Sequence, residues 1–335
     1  MEKINTLLIP KSQVSKTLNA PLTNIKIVEN AMIEYINGKV IWPEKTSQIF
    51  DEILQNRINC MPATLIEKKI SGVKWVSVFP ENPTYNINNV NGLLILTEII
   101  SGQPIAVMDC AELTSVRTAS VGACALKYLA RKNCNTLGII GSGQEAKAHL
   151  RMIVNLYPNI KKCYIASKTL DSVKIFIEQF TKEFLNIKFV NCGNELENAV
   201  RNADIIVTAT SAQAPLIKRS WIKQGATYIH VGGFEDDYSV ALGADKIICD
   251  NWESVKHRGS QTLSKLYQAN KITDENIFAN LPEIISGEKP GRENDHEFIY
   301  FNSVGLSYID LMFGIYIYES NKNNNELSSF LFNDE

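Results

Sequence analysis

The sequence predicts an α/β protein, in which a doubly wound parallel sheet is joined to a mixed α+β domain. Three observations predict it. Short apolar runs alternate with amphipathic helical stretches from residue 136 to residue 250. A glycine-rich turn joins the first of those runs to its helix. The first 115 or so residues are instead strand-rich, before the alternation begins.

The elements follow in order. GVKWVSV at 72–78 reads as a strand. Runs at 91–100 and 104–108 flank Ser101-Gly102-Gln103, which reads as a hairpin turn. After Glu112, alanines and leucines at helical spacing predict a helix to about Ala130. TLGIIG at 136–141 is a strand ending in glycine, and 144–156 has helical spacing. Strands at 161–167, 187–191 and 204–210 alternate with helices at 170–184 and 195–203. Runs at 225–233 and 246–250 supply two more strands. Strands separated by helices of this size pair in parallel through right-handed crossovers. A last apolar helix at 307–318 carries Tyr308, Phe313, Tyr316 and Tyr318. It packs on the parallel sheet or returns to the first domain; its sequence is compatible with both. The asparagine-rich patch at 321–325 reads as a solvated end.

The chain has 335 residues, 45% of them hydrophobic, which is ample for one large domain or two linked ones. A net charge of −2 excludes a polyanion binder that works by bulk charge, so no nucleic-acid partner is expected. The seven cysteines form no Cys-x-x-Cys pair and lie in apolar segments. A disulfide framework or metal site is therefore not expected. The start lacks the features of a signal peptide, and the apolar stretch at 93–100 is broken by Thr97 and Glu98. The expectation is a soluble cytoplasmic protein with no membrane contact.

Gly141-Ser142-Gly143-Gln144-Glu145-Ala146 follows a strand and opens a helix. That is the context of a Rossmann dinucleotide fingerprint in its G-x-G-x-x-A form. Gly141 permits the tight turn, Gly143 admits the pyrophosphate, and Ala146 allows close helix–strand packing. The helix start then offers N–H groups to the phosphates. The end of the second strand reads Ser167-Lys168-Thr169, with no acid until Asp171. A carboxylate there would accept from the ribose hydroxyls of NAD and repel a 2′-phosphate. Its absence, with Lys168 present, favours NADP; with Lys168 as a solvated surface lysine, NAD or either cofactor serves. Thr208-Ala209-Thr210-Ser211 ends the fourth strand with small residues that leave room for a nicotinamide ribose.

A set of motifs completes the pattern: Arg57-x-x-x-Met61-Pro62-Ala63, Gly72-Val73-Lys74-Trp75-Val76, Pro104 to Asp109, Ser115-Val116-Arg117-Thr118-Ala119-Ser120, the glycine loop, Pro290-Gly291-Arg292, and Asn302-Ser303-Val304-Gly305-Leu306. In these the chain resembles the ornithine cyclodeaminase/mu-crystallin superfamily over nearly its whole length. The resemblance implies a substrate-binding and homodimerisation domain from 1–115 with 305–335, and a Rossmann domain at 116–304. Asn82-Pro83, Asp250-Asn251-Trp252 and 291–295 look closer to one branch. That branch is similar to a siderophore-pathway dehydrogenase type that converts N-(1-amino-1-carboxyl-2-ethyl)-glutamate to 2,3-diaminopropionate and 2-oxoglutarate, using NAD. Cyclodeaminases carry an aspartate after the Val-Gly-Gly stretch, where this chain has Phe234. Ring closure on ornithine therefore ranks below an NADPH-dependent imine or ketimine reductase. A non-catalytic NADPH-binding protein is a further alternative.

Hydride transfer at an amino-acid Cα needs a clamped carboxylate and an acid/base for the amine proton and the water. Arg57, Lys74 and Arg117 are the basic residues of the motifs, and three cations suit a small amino-acid substrate with more than one carboxylate. Lys74 points to the face opposite Val73 and Trp75. Arg117 and Thr118 serve a cofactor phosphate, or Arg117 pairs with Glu112. Lys74 and Glu235 are the candidates for proton and water steps. The plainer readings are a surface Arg57, a solvated Lys74 and an acidic surface turn at 235–237. His230 reads as a core histidine, the run at 256–258 as a solvated face or a rim of substrate entry, and Arg292 as positioning the C-terminal segment or forming a loop ion pair with Glu293 or Asp295.

Overall fold

The computed structural model describes residues 5–331 apart from residue 52. The chain forms two compact units, Met1–Arg117 with Leu306–Glu335, and Thr118–Gly305. The α/β architecture combines a Rossmann-type parallel sheet with a mixed α+β unit.

The first unit opens with β1 (Asn5–Ile9), α1 (Lys11–Thr17) and α2 (Pro21–Ile36). Then come β2 (Val40–Ile41), β3 (Thr46–Asp51), β4 (Asn56–Leu65), β5 (Ile70–Val78), β6 (Val90–Glu98) and β7 (Pro104–Asp109). Helix α3 (Ala111–Leu129) carries the division between units at Arg117. In the second unit follow β8 (Thr136–Ile140), α4 (Gln144–Leu156), β9 (Lys162–Ala166), α5 (Leu170–Glu183), β10 (Lys188–Gly193), α6 (Leu196–Val200) and β11 (Ile205–Thr208). Next are β12 (Thr227–His230), α7 (Tyr238–Leu242), β13 (Lys246–Cys249), α8 (Trp252–Lys256), α9 (Thr262–Gln268), β14 (Ala279–Asn280), α10 (Leu281–Ile285) and β15 (Ile299–Asn302). The chain returns to the first unit with α11 (Ser307–Asn321) and β16 (Ser329–Leu331).

The sheet of the first unit has the order β16-β1-β7-β6-β5-β4-β2, with β3 also on β4. Strands β4 to β7 form an antiparallel meander. Its inner face carries Met61, Ala63, Ile70, Val76, Leu94, Leu96, Ala106 and Met108, all buried. Helix α11 lies on that face, which decides the alternative left open by its sequence. The approach is close: a Cβ on Gly314 would stand 2.3 Å from the Leu94 side chain, and one on Gly72 2.6 Å from Leu311. Tyr308 of α11 stacks on Tyr35, with ring centroids 5.1 Å apart.

The second sheet has the order β10-β9-β8-β11-β12-β15-β13-β14 and is parallel throughout. Strands β11, β12, β13 and β15 are buried at every position, as expected where helices cover both faces. Strand β15 enters between β12 and β13, a position the sequence alternation did not reveal.

His149 of α4 is fully buried, with Nδ1 on the Glu145 carbonyl at 2.8 Å. Burial holds its pKa down at about 4. A histidine whose folded pKa lies below its unfolded value stabilises the fold above the unfolded value, and that stability is lost as pH falls toward the folded one. Between about pH 6.5 and 5 the loss amounts to roughly 2 kcal/mol. Thermal melts should show this decline in the wild type and a flatter profile in His149→Asn.

All seven cysteines are free. Among the described residues no cluster of histidine, cysteine or acidic side chains could hold a metal ion. No helix among them is long and apolar enough to cross a membrane.

Candidate active site

Lys74 sits mid-strand on β5, opposite Met61 on one side and Leu94 on the other. The strand alternation turns it inward, 1% exposed, while Trp75 is 41% exposed. Its Nζ lies 2.7 Å from Oδ2 of Asp310 on α11. The other carboxylate oxygen, Oδ1, lies 2.7 Å from Nε of Arg117 on α3. Arg117 is 6% exposed and Asp310 0%. Arg117 therefore pairs with Asp310, not with Glu112. Arg117 Nη1, like Nε and both Asp310 oxygens, is buried without a hydrogen bond of ordinary geometry among the described residues, and the ion pair with Asp310 is made through Nε rather than Nη1. With both cations charged, one carboxylate serves two of them, leaving a buried excess of positive charge. Burial and the adjacent Arg117 push the Lys74 pKa below its ordinary value, against the pull of Asp310. Nearby Cys110 is pushed up to about 12 by burial, so its thiol stays neutral.

Asp310 escaped the sequence reading. The available signal was a carboxylate inside the apolar helix SYIDLMFGIYIY, where an acid is buried only if paired. Arg57 lies on β4 four residues before Met61, hence on the same sheet face and ~13 Å along the strand. It is half-buried, and desolvation lowers its pKa. Its Nη1 donates to the Gln55 carbonyl at 2.9 Å. It belongs to the same face as the Lys74–Asp310–Arg117 cluster without joining its ion pairs.

The glycine turn is built for a close anion. Gly141 has φ +113°, and a Cβ there would stand 2.3 Å from the Ala209 carbonyl oxygen. Gly143 faces open space, with nothing within 4 Å of the corresponding point. It caps α4 and offers no side-chain acceptor to the amides of the first turn. These are the residues that fit a dinucleotide pyrophosphate. Ser142 Oγ bonds Ser167 Oγ at 3.0 Å, tying the turn to the end of β9. Lys168 and Thr169 are exposed, and Thr169 Oγ1 donates to Ser172 Oγ at 2.9 Å. Thr118 is half-buried on α3.

Glu235 is brought to the strand ends, but as a brace. It is fully buried and accepts four bonds: from the Thr208 hydroxyl (2.8 Å), the Thr210 amide (2.6 Å) and hydroxyl (2.7 Å), and the Gly232 amide (2.7 Å). With both oxygens occupied and no exposure, it ties β11 to β12 and is ill placed to shuttle protons. Thr208 is likewise buried and spent inside, between Glu235 and the Tyr228 hydroxyl (2.7 Å). Ala209 and Thr210 are half-buried and Ser211 is exposed.

The acidic-turn reading is also corrected. Asp236 is fully buried, accepting from Thr262 Oγ1 (2.7 Å) and the Tyr300 hydroxyl (3.1 Å), and burial raises its pKa to about 6. Asp237 caps α7 through the Ser239 amide (2.9 Å). An acidic run can form a solvated turn, whereas this loop buries Glu235 and Asp236, with Glu235 bonded at the ends of the interior strands β11 and β12. His230 is a buried core histidine with partners at Asn302 Oδ1 (2.9 Å) and the Gly233 carbonyl (2.7 Å). Lys256 is buried rather than solvated, and its Nζ lies 2.6 Å from Glu253. Arg292 donates to the Leu129 and Glu297 carbonyls (both 2.7 Å) and to Thr227 Oγ1 (3.0 Å), so it staples backbone instead of pairing with Glu293 or Asp295. Phe234 packs near Tyr238, ring centroids 5.6 Å apart, under Lys265.

The fold and its likenesses to known enzymes define an NAD(P)-dependent oxidoreductase. The chain belongs to the ornithine cyclodeaminase/mu-crystallin family, whose sequence model matches residues 5–325. It is similar to the N-((2S)-2-amino-2-carboxyethyl)-L-glutamate dehydrogenase of Staphylococcus aureus, 29% identical over 274 residues and 81% of each chain. A solved Delta(1)-pyrroline-2-carboxylate reductase from Thermococcus litoralis, in complex with NADH and L-proline, is 30% identical with a TM-score of 0.91. That match covers 96% of this chain and 99% of the other. An archaeal alanine dehydrogenase dimer with bound NAD is 30% identical with a TM-score of 0.89, covering 98% and 100%.

Proposed function

We propose that the chain is an amino-acid dehydrogenase acting at a Cα–N bond, and that it converts N-(1-amino-1-carboxyl-2-ethyl)-glutamate to 2,3-diaminopropionate and 2-oxoglutarate. The observation that carries this is the buried pair Lys74 and Arg117 gathered on the single carboxylate of Asp310, with Arg57 farther along the same face. It suits a substrate with carboxylates at separated positions. The likeness to the Staphylococcus aureus enzyme supports the same substrate.

A bound nicotinamide would supply the hydride acceptor for the glutamyl Cα. Arg117, through its unpartnered Nη1, holds a substrate carboxylate. Arg57 takes a second one. Lys74 Nζ, with its lowered pKa, accepts the amine proton as the C=N bond forms. Water adds to that carbon and the C–N bond breaks, leaving the amine as 2,3-diaminopropionate and the carbonyl as 2-oxoglutarate. The sum is substrate, oxidised dinucleotide and water giving two products, reduced dinucleotide and one proton. Gly141, Ser142, Gly143 and Gln144 would hold the pyrophosphate, and Ala209, Thr210 and Ser211 the nicotinamide ribose.

No acid follows β9, so nothing repels a 2′-phosphate, and exposed Lys168 with Ser167 and Thr169 binds it. NADP is therefore preferred over NAD. The two similar solved structures hold NADH and NAD, so the preference is a sharp test of Lys168. Purified protein is to be incubated with the glutamate conjugate and each cofactor, following reduced-nicotinamide absorbance and free 2-oxoglutarate. Turnover with NADP above NAD is expected; equal or reversed preference removes the Lys168 argument. A second reading, reduction of a cyclic imine such as Delta(1)-pyrroline-2-carboxylate, is favoured by the Thermococcus litoralis likeness. Turnover only with that imine would select it.

The outer face of the first unit's sheet carries exposed Leu8, Trp75 and Leu93, with Val73, Ile95 and Val107 between them. An apolar sheet face of this kind needs a cover, here a second copy of the chain. Sedimentation should give twice the 37.5 kDa chain mass, and a monomer at micromolar concentration would contradict it.

A further inference from the structure

We propose that Asp310 is a positioning residue of this reaction, holding Lys74 Nζ and Arg117 Nε side by side and setting the pH at which Lys74 exchanges its proton. The proposal rests on the reading of Lys74 as the proton carrier and deepens it.

The geometry is a divided carboxylate. Each Asp310 oxygen meets a different cation, both at 2.7 Å. The two cations come from β5 and α3, and the acid from α11, so three elements are fixed at one point. All three side chains are buried. Charges removed from water in this way interact strongly and are poorly screened by salt. An unpaired acid in an apolar helix would be costly, so the pairing explains why Asp310 is tolerated there. Its place is secured by packing on both sides, with Tyr308 against Tyr35 and Leu311 against Gly72.

The groups facing Lys74 set the sign. Arg117 of α3 and burial both disfavour its charged form. Asp310 of α11 favours it, as Cys110 before α3 would only as a thiolate. Across the flanking strands stand Met61 and Leu94, which carry no charge. Cys110 remains a thiol at ordinary pH, so Asp310 is the standing negative charge. Removing that charge leaves Arg117 and burial unopposed. Lys74 then releases its proton at lower pH, and Arg117 loses the partner that orients its guanidinium.

The test uses full-length Asp310→Asn, with Asp310→Ser as a second charge-free variant should the first fail to fold. Reduced-dinucleotide binding, read by fluorescence, serves as the control and should stay within about twofold. In the oxidative direction neutral Lys74 is the active form, so kcat/KM rises with pH through its pKa. The rising limb is expected to move down by about one pH unit or more, with kcat lowered about tenfold or more. The same shift should be visible without turnover, in a lysine-labelled NMR titration of Lys74 assigned by Lys74→Met. A Lys74 titration that does not move in a folded charge-free variant overturns the proposal. If the wild type oxidises none of the substrates, the functional reading fails, while the NMR titration still decides the role of Asp310.

Discussion

Arg117→Ala is expected to lower kcat/KM by about a thousandfold or more, with dinucleotide binding kept within about twofold. Arg117 is buried, held by Asp310 through Nε, and keeps Nη1 unpartnered among the described residues. That arrangement presents a fixed donor to a substrate carboxylate, and an arginine does so with geometry that lysine cannot reproduce. Its loss has a second consequence. Asp310 would then pair with Lys74 alone, and the nearby positive charge that lowers the Lys74 pKa would be gone. The base would stay protonated to higher pH, so the residual rate should recover partly as pH rises. Steady-state kinetics across pH with a fluorescence titration of the dinucleotide reads both effects. Retained activity at neutral pH would remove Arg117 from the site.

The second large effect is at the glycine turn, where two neighbouring substitutions should behave differently. Gly141→Ala forces a Cβ into a residue with φ +113° and to within 2.3 Å of the Ala209 carbonyl. The turn must shift, so both the melting temperature and dinucleotide affinity should fall, the latter by about a hundredfold. Gly143→Ala meets nothing within 4 Å and has ordinary backbone angles, φ −76°. It should leave the melting temperature nearly unchanged and still weaken binding, because the added methyl fills the space over the first turn of α4. A Gly143→Ala protein that binds normally would show that the pyrophosphate does not lie there. Thermal melts and fluorescence titrations of the two variants make the comparison.

The parallel sheet was legible because its strands are short, apolar and separated by helices. The helix expected at 144–156 is α4, Gln144–Leu156. Covered on both faces, such strands leave continuous apolar runs in the sequence. The first unit was harder to read. Helices α1 and α2 were missed, although Ile25, Val28 and Met32 recur on the buried side of α2. Strand β4 was hidden by Arg57, Asn59 and Pro62, residues that weaken a strand pattern but lie here in a paired ladder. Strand β15 follows a long irregular stretch and joins the sheet out of sequence order.

The candidate site was legible in part for the same physical reasons. Lys74 and Arg117 stand in recognisable motifs, and the alternation in β5 gives the direction of Lys74. Asp310 lies over 190 residues from both, and only the return of α11 to the first sheet unites them. Glu235 was read by position alone. Its four hydrogen bonds depend on a loop that folds back on two strand ends, a tertiary feature without a local signature.

The central claim is hydride removal from the glutamyl Cα, and isotope tracing tests it most directly. N-(1-amino-1-carboxyl-2-ethyl)-glutamate carrying deuterium at the glutamyl Cα is to be incubated with the protein and oxidised NADP or NAD. The reduced dinucleotide should be one mass unit heavier, in equal amount to the 2-oxoglutarate released. Deuterium retained in a product or lost to water would contradict it, as would an unreacted substrate in protein that binds the dinucleotide.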